Sequence, residues 1–494
     1  IKMQKIESTL ENKLRQKENV INSSSTVFWC IANKEKKIDT TISFLNHFLL
    51  KREIDSVSMR LSLRTMGGEL LVETIEQINQ PKVYAYSVLK LLEKLSISEG
   101  EFSAYIEFTS SSNLAVPFCA VTSEIVSQKT FDLVHTYGRP LECSEFGSKI
   151  DFNTSHESGW CIWNFGSEIF NHFVFHNGRL HAKTSFELKI FKRGKELAKL
   201  ENIKKKFNPF EGCRIIFEEE IKKHPNSKSI IDEINNSKPG DIDVKIKIDG
   251  LKSTFSRLLF ICTKHSNNKI KSIDDLEKIN FTHSNFDFDN AKQPRSSENY
   301  GFINNPKYPN GVKSGFRYYP CNELKSINIE GVNESSLPLD IDGQKSLKVS
   351  SELAIPSRLV GSNWSIWREK DFIKDCSTGT YIIEYVKSLG FWHWGRLIPK
   401  GKNISSILTL MNPFAEENEE FMFDINIFNE FGKCYEKSIK FNSPIFYMEF
   451  DSNLEFIKEN GCWYTVTGEG VSKFNIFSTS YFDDLEDGTI EHSF

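Results

Sequence analysis

Alternation of apolar and polar side chains is the clearest pattern in this sequence. Three separate runs carry it, at residues 58–64, 184–191 and 421–428. A period of two residues is typical of a β-strand that buries one face and exposes the other. A glycine follows each run, which is typical of a turn into a neighbouring strand. These positions are Gly67, Gly194 and Gly432.

The residues around these runs also recur in a fixed order. A tryptophan comes first, at Trp29, Trp160 and Trp392, and an Asn-containing motif follows, at Asn46, Asn171 and Asn412. After the alternating run, a glycine opens a second apolar strand, at Gly100, Gly240 and Gly461. Each copy closes on a histidine, at His135, His283 and His492. This order predicts one structural unit that is used three times.

We therefore predict an all-β fold with three tandem related antiparallel β-sandwich repeats and an irregular aromatic-rich insert before the third. A chain of 494 residues has room for several such domains. The predicted segments are an amphipathic helical lead-in at 1–24, repeats at 25–150, 151–290 and 351–494, and the insert at 291–350.

Composition narrows the classes of partner and compartment. The net charge of −4 does not favour nucleic acid or an anionic membrane surface. No apolar run approaches the length of about 18 residues that crosses a bilayer. No secretory signal peptide is visible, so a soluble, cytoplasmic protein is the default expectation, although the chain begins on Ile1 and upstream residues are an open question. Ten cysteines without a Cys-x-x-Cys pair indicate buried thiols rather than disulfides or zinc ribbons.

The closing histidines are the first candidate for chemistry. His135, His283 and His492 would form a transition-metal site if the repeats close into a ring with these ends inward. The alternative that we favour from sequence alone is a turn in which each imidazole bonds a nearby carbonyl, repeated because the unit repeats. A second candidate is the cluster of His172, His176 and His181, where a polar strand face is the favoured alternative to a metal site.

Aromatic residues outside the predicted cores are the candidate binding surface. Exposed Tyr and Trp side chains stack on sugars or anchor a protein partner, whereas buried ones fill a core. The candidates are Tyr300, Tyr308, Tyr318, Tyr319, Trp364 and Trp367. By contrast, the tryptophans that recur once per copy are predicted to be core residues.

The sequence lacks the motifs of the common catalytic sites. Gly-x-Ser-x-Gly, the phosphate-binding Gly-x-x-x-x-Gly-Lys-Ser/Thr loop and His-Glu-x-x-His do not occur. The first functional hypothesis is a non-catalytic binding or assembly protein that presents sandwich loops to a glycan or protein partner. The alternatives are a metal-dependent enzyme with a histidine-ligated site and a structural subunit of a particle or filament. Homo-oligomerisation stays open in all three.

Overall fold

The computed structural model describes most of the chain. The described residues are 20–110, 119–137, 139–142, 155–179, 181–249, 258–266, 275–283, 286–287, 300–318, 327–329, 339–351, 358–368, 371–381, 391–413, 420–468 and 474–494. Their strands form eight sheets, in which all pairings of neighbouring strands are antiparallel. The all-β prediction is confirmed. None of the helices in these residues has the length and apolar character needed to cross a membrane.

Two sheets near the amino end form unit I. Its strands are β1 (Val20–Asn33), β2 (Asp39–Leu45), β3 (Val57–Thr65), β4 (Leu70–Ile78), β5 (Val83–Ser87), β6 (Glu99–Ser110), β7 (Ala120–Val126), β8 (Phe131–Tyr137) and β9 (Arg139–Glu142). Two short helices, α1 (His47–Arg52) and α2 (Val88–Leu92), and a 3-10 turn (Glu93–Leu95) lie between them. The predicted lead-in at 1–24 lies outside the described residues up to residue 19, and residues 20–24 belong to β1 instead.

Unit II follows with the same kind of layers. Its strands are β10 (Ser155–Ile162), β11 (Ile169–His176), β12 (Ala182–Lys192), β13 (Lys195–Phe207), β14 (Gly212–Ile216), β15 (Ile242–Asp249), β16 (Leu259–His265), β17 (Leu276–His283) and β18 (Phe286–Asp287). Helices α3 (Phe217–Lys222) and α4 (Ser227–Asn235) follow β14 and pack on the unit core through Phe217, Ile221, Ile230 and Ile234.

Unit III occupies most of the segment that we predicted to be an irregular insert. Its strands are β19 (Tyr300–Asn305), β20 (Lys313–Tyr318), β21 (Ile327–Ile329), β22 (Leu339–Asp340), β23 (Lys345–Ser351), β24 (Arg358–Ile366) and β25 (Ile373–Tyr381). The prediction of irregular structure does not hold for these residues. Strands β19 and β20 bury consecutive residues, at 303–305 and 314–317, so they lack the alternation that reveals a half-buried strand.

Unit IV completes the described chain. Its strands are β26 (Phe391–Ile398), β27 (Ile404–Met411), β28 (Phe421–Asn429), β29 (Gly432–Phe441), β30 (Ile445–Phe450), β31 (Cys462–Gly468), β32 (Asn475–Phe482) and β33 (Gly488–His492). With unit III, the described residues hold four pairs of sheets, so the predicted number of three is not confirmed.

The four units share one strand order. The sheets of unit I run β4-β3-β6-β1-β9 and β5-β2-β7-β8, and those of unit II run β13-β12-β15-β10-β18 and β14-β11-β16-β17. Unit IV has β29-β28-β31-β26 and β30-β27-β32-β33, while unit III has β21-β23-β19 and β22-β20-β24-β25. The alternating runs of the sequence are β3, β12 and β28, which occupy the same place in their sheets. The last strand of each unit lies at a sheet edge.

One of the sequence landmarks is misaligned in unit II. Asn46 and Asn412 each follow the second strand of their unit, and their backbone N–H groups bond the oxygens of Lys82 and Pro444. In unit II the same bond, to the oxygen of Glu211, is made by Asn177. Asn171 lies six residues earlier, within β11. The matching Asn-His-Phe letters at Asn46 and Asn171 are therefore not structural equivalents.

Four edge strands, one from each unit, bring the four sandwiches together, and we call β8, β17, β25 and β33 the axial strands. Strand β8 contacts β17, β17 contacts β25, β25 contacts β33, and β33 contacts β8 again. We call this closed arrangement the unit ring and the line through its centre the axis. Because β8 belongs to the first unit and β33 to the last, the contact between them closes the ring. The core of unit I is continuous with residues of units II and IV, including Ile261, Phe281 and Trp463.

Polar side chains hold these strands at the axis. The Asp487 carboxylate accepts hydrogen bonds from the Thr130 hydroxyl (2.6 Å), the Phe131 N–H (3.1 Å) and the Lys374 ammonium (2.7 Å). These groups come from units IV, I and III, and the Lys374 and Asp487 side chains are both about 3% exposed. A buried charge is costly unless it is paired and hydrogen-bonded, and this cluster meets both conditions.

The closing contact between units I and IV contains a second buried ion pair. One oxygen of Glu124 accepts from Arg396 Nη2 at 2.8 Å, and the other lies 2.6 Å from Arg396 Nε. Both side chains are fully buried. The hydroxyl of Ser43 and the backbone N–H of Lys400 also donate to Glu124. The carboxylate thus links three segments of the chain.

We expect the Glu124→Gln variant to unfold at a much lower denaturant concentration than the parent protein. It leaves the Arg396 charge buried opposite a neutral group, a change that costs about 3–5 kcal/mol. The matched control is Glu459→Gln, which removes an exposed pair with Lys90 across the same two units and should cost no more than about 1 kcal/mol. Urea unfolding of the three proteins measures both effects, and equal losses would contradict the importance of the buried pair.

Candidate metal centre

The axis brings together the three histidines that close the sequence copies. His135 lies on β8, His283 at the end of β17 and His492 at the end of β33. Their registers are equivalent, because they stand opposite Thr122, Leu259 and Phe477 in the neighbouring strands. The units form a ring, and the three histidines converge at its axis.

The three imidazoles are close enough to share one ion. One nitrogen from each residue lies within 4.8 Å of the other two. The imidazole centroid of His135 is 5.0 Å from that of His283 and 4.6 Å from that of His492, both in edge-on arrangements. His135 and His283 are buried, whereas His492 is half-buried. Among the described residues, this is the one group of three His, Cys, Asp or Glu side chains at such spacing.

Neighbouring oxygens fix the orientation of two of these side chains. Nδ1 of His135 lies 2.7 Å from the Glu491 carboxylate, and Nδ1 of His492 lies 3.0 Å from the Ser493 carbonyl. A carbonyl can only accept, so Nδ1 of His492 donates and Nε2 carries the lone pair. Histidines that bind metals are commonly held in this way by a carboxylate or a carbonyl. Burial raises the pKa of Glu491 to about 7, with the neighbouring His492 opposing that effect.

A layer of polar residues lies three positions before the histidines. The Asp132 carboxylate accepts from the Phe281 N–H at 2.8 Å and from the Thr489 hydroxyl. Asn280 and Asp375 bond each other twice, through the Asn280 amide (2.5 Å) and the Asp375 N–H (2.9 Å). Burial raises the pKa of Asp132 to about 7, and the Lys374 charge opposes this shift. This layer ties the axial strands β8, β17, β25 and β33 to each other three residues before the histidines.

Unit III has no histidine at the corresponding place. Thr378 follows Asp375 at the spacing that separates Asp132 from His135 and Asn280 from His283. Its hydroxyl donates to Asn363 at 2.7 Å, within its own unit. The axis therefore offers three imidazoles from four units. Three nitrogen ligands and a vacant direction are typical of zinc sites that accept water or a further ligand.

Aromatic side chains form one wall of the centre. The Phe494 ring lies 4.9 Å from the His135 imidazole and stacks on Trp394 and Trp463 at centroid distances of 5.7 and 6.1 Å. Trp394 also stacks on His47, and the Lys51 ammonium lies 4.3 Å above its ring. Apolar walls of this kind restrict water around a metal site and strengthen electrostatic interactions within it.

The second predicted cluster does not assemble. His172 and His176 are buried on β11, where the His172 imidazole packs edge-on against Trp29 at 5.8 Å. His181 is exposed. No group of metal-ligating spacing in the described residues includes any of the three. The even spacing does place His172 and His176 on one strand face, as expected, but that face is interior because units I and II pack against each other there.

These two histidines make the fold sensitive to acid. Burial lowers the pKa of His176 to about 3 and the pKa of His172 well below its usual range. Below the unfolded pKa of about 6.5, the unfolded chain binds protons that the folded chain excludes, so stability falls as pH falls from there.

Between pH 6.5 and 4, we expect the free energy of unfolding of the His172→Leu/His176→Leu variant to fall less steeply with falling pH than that of the parent. The difference in slope is up to about 1.4 kcal/mol per pH unit for each histidine removed. Urea unfolding at several pH values tests this against exposed His181→Gln, whose profile should follow the parent.

The predicted aromatic binding surface is largely interior. Tyr308, Trp364 and Trp367 are buried, so they are not an exposed contact group. Trp364 packs on Trp163 of unit II, and Trp367 packs between Tyr308 and Tyr481 of unit IV. Tyr300 and Tyr318 lie on β19 and β20, and Tyr319 lies outside the described residues. Tyr308, Trp364 and Trp367 are buried because unit III lies between two other sandwiches in the unit ring.

Sequence reasoning missed the groups that support the histidines. Glu491 precedes His492 directly, and Asp132, Asn280 and Thr489 each stand three residues before a closing histidine. A polar residue at one fixed place in three apolar strands is a signal that could have been found. Lys374 had no such signal, because no sequence landmark identified unit III.

Comparisons with known proteins do not place the chain in a family. No protein family and no curated protein matches it. Among solved structures, a calcium-binding mutant of Bacteroides uniformis beta-glucuronidase 2 aligns at 9% identity and a TM-score of 0.13, over 55% of this chain and 27% of that one. The M60 catalytic domain with two CBM51 domains of Clostridium perfringens ZmpB gives 7% and 0.14, over 91% and 54%. Ruminococcus gnavus beta-glucuronidase gives 9% and 0.11, over 72% and 38%. Similarities this low assign neither a fold nor a function to the chain.

Proposed function

We propose that this protein is a non-catalytic binding or assembly protein that uses the outer faces of units I and IV to contact a protein partner. The observation that carries this proposal is the distribution of exposed apolar side chains. All large apolar residues that the described part of the chain leaves exposed belong to these two units. They are Leu70, Ile75, Leu95, Met422, Phe431, Tyr447 and Leu454.

The two most exposed members are suited to contact. Phe431 is 79% exposed in the turn between β28 and β29, and Ile75 is 68% exposed on edge strand β4. The turn with Phe431 adjoins unit I, because a Cβ on Gly432 would lie 3.8 Å from the Pro81 oxygen. Contiguous apolar patches mark interaction surfaces, whereas singly exposed apolar side chains are ordinary. The proposal therefore places Ile75 and Phe431, from two adjacent units, in one contact surface. A glycan partner would call for exposed aromatic platforms, of which Phe431 and Tyr447 are the candidates.

The buried ion pairs support a scaffold role. Arg396 with Glu124 and Lys374 with Asp487 join different units and would keep the outer faces in fixed relative positions. The Arg317 guanidinium makes a similar two-point contact with Asp243 between units III and II, at 2.6 and 2.9 Å. A rigid, pre-organised surface loses less entropy on binding.

We expect the Ile75→Ser/Phe431→Ser variant to lose partner binding by at least about tenfold, since central apolar contacts carry most of an interface's energy. The control is Glu196→Ser/Lys228→Ser, which changes exposed residues of unit II. Binding is measured on glycan arrays and by cross-linking from a photoreactive residue at position 422, placed in the parent and in both variants, in extracts of the source cells. Equal, saturable binding by both variants would reject the proposed surface.

A metal-dependent enzyme with a histidine-ligated site is the second candidate. The convergence of His135, His283 and His492 on the axis favours it. Turnover of hydrolase substrates that follows the metal content and disappears in His492→Ala would favour the enzyme over the binding protein. A structural subunit predicts instead a sedimentation mass that is a large multiple of 56.9 kDa.

A further inference from the structure

We propose that His135, His283 and His492 bind one divalent transition-metal ion, zinc by their chemistry, and that this ion fastens the closing contact of the unit ring. The inference shares its histidines with the second candidate function but assigns the ion a structural role. It is independent of the outer faces of units I and IV.

The spacing of the nitrogens fits an ion after a small adjustment. Zinc binds imidazole nitrogen at about 2.0–2.1 Å, which places tetrahedral ligands roughly 3.3 Å apart. The ligand atoms here are at most 4.8 Å apart, so side-chain rotations that move the nitrogens by about 1–2 Å bring them to that distance. Imidazole suits zinc, copper, nickel and iron, whereas calcium and magnesium require oxygen ligands.

The hydrogen bonds of the centre favour coordination through Nε2. The Ser493 carbonyl holds Nδ1 of His492, and the Glu491 carboxylate holds Nδ1 of His135. Both bonds use Nδ1, so coordination through Nε2 would keep them in place. Glu491 is buried and belongs to unit IV, while His135 belongs to unit I, so this supporting bond itself crosses the closing contact.

The position of the ligands gives the ion its role. His135 and His492 lie on β8 and β33, the two strands whose contact closes the unit ring, and His283 lies on β17 beside β8. One ion on these residues would cross-link units IV, I and II. Separation of β8 from β33 would then require the loss of at least one metal bond. Unit III, with Thr378 in place of histidine, supplies no ligand, so a water molecule completes four-coordination.

The test uses the full chain, freed of metal with a chelator and then titrated with Zn²⁺ or Co²⁺. We expect one ion per chain by elemental analysis and the intense visible absorption of four-coordinate Co²⁺. If the ion binds only the closed state, the fraction of molecules in the open state decreases by a factor of 1 + c/Kd, where c is the concentration of free ion. At ten times Kd, amide hydrogen exchange in β8 and β33 should therefore slow by about tenfold.

The variants are His492→Ala, which removes a half-buried ligand, and His224→Ala, which removes a half-buried histidine of unit II outside the centre. The first should abolish stoichiometric binding and the exchange effect, and the second should change neither. Absence of bound Zn²⁺ and Co²⁺ in the parent protein would overturn the site, and that result does not depend on the folding of any variant. Stoichiometric binding without slower exchange in β8 and β33 would overturn the fastening role while leaving the metal-dependent enzyme in place. Neither outcome affects the proposed contact surface of units I and IV.

Discussion

The pairing of buried charges at the axis is the constraint on which the rest of the structure depends. The Asp487 carboxylate accepts hydrogen bonds from groups of units I and III. Each of these donors would be a buried polar group without an acceptor if unit IV moved away. The cost of such unpaired groups makes the axial strands of units I, III and IV interdependent, since an unpaired buried charge is far more costly than a lost apolar contact. The positions of the histidines follow from this, because the same strands carry them.

The centre combines features that are rarely accidental when they occur together. Three imidazoles come from three units at equivalent register, and a carboxylate and a carbonyl orient two of them. The pKa of Glu491 is raised by burial, so this group has a real cost in the folded state. Perturbed ionisable groups of this kind concentrate at functional sites, although structural ion-pair networks produce them too. The layer of Asp132, Asn280 and Asp375 directly below is an example of the structural kind.

The sequence predicted the strands that bury one face, and it did not predict the strands that bury both. β3, β12 and β28 have clear alternation because their outer faces meet solvent, so the all-β fold was readable from them. Unit III packs between neighbours on both sides, and its continuous burial removed that pattern. The misalignment of Asn171 has a different cause. Its Asn-His-Phe motif matches the motif at Asn46, but the equivalent backbone hydrogen bond is made by Asn177, and only the structure shows this bond. The histidine positions could be predicted, whereas their convergence could not, because it depends on how units separated by long stretches of chain pack together.

The contact between β8 and β33 has a consequence for the biogenesis of the protein. These strands belong to the first and last of the four units, and the contacting residues Asp132 and Thr489 are 357 positions apart in the sequence. During synthesis, units I to III can form their own cores while β33 has not yet left the ribosome. Until it does, Phe131 and Thr130 lack their Asp487 acceptor. Closure of the unit ring must therefore wait for β33, and the edge of β8 that β33 contacts stays uncovered in the meantime.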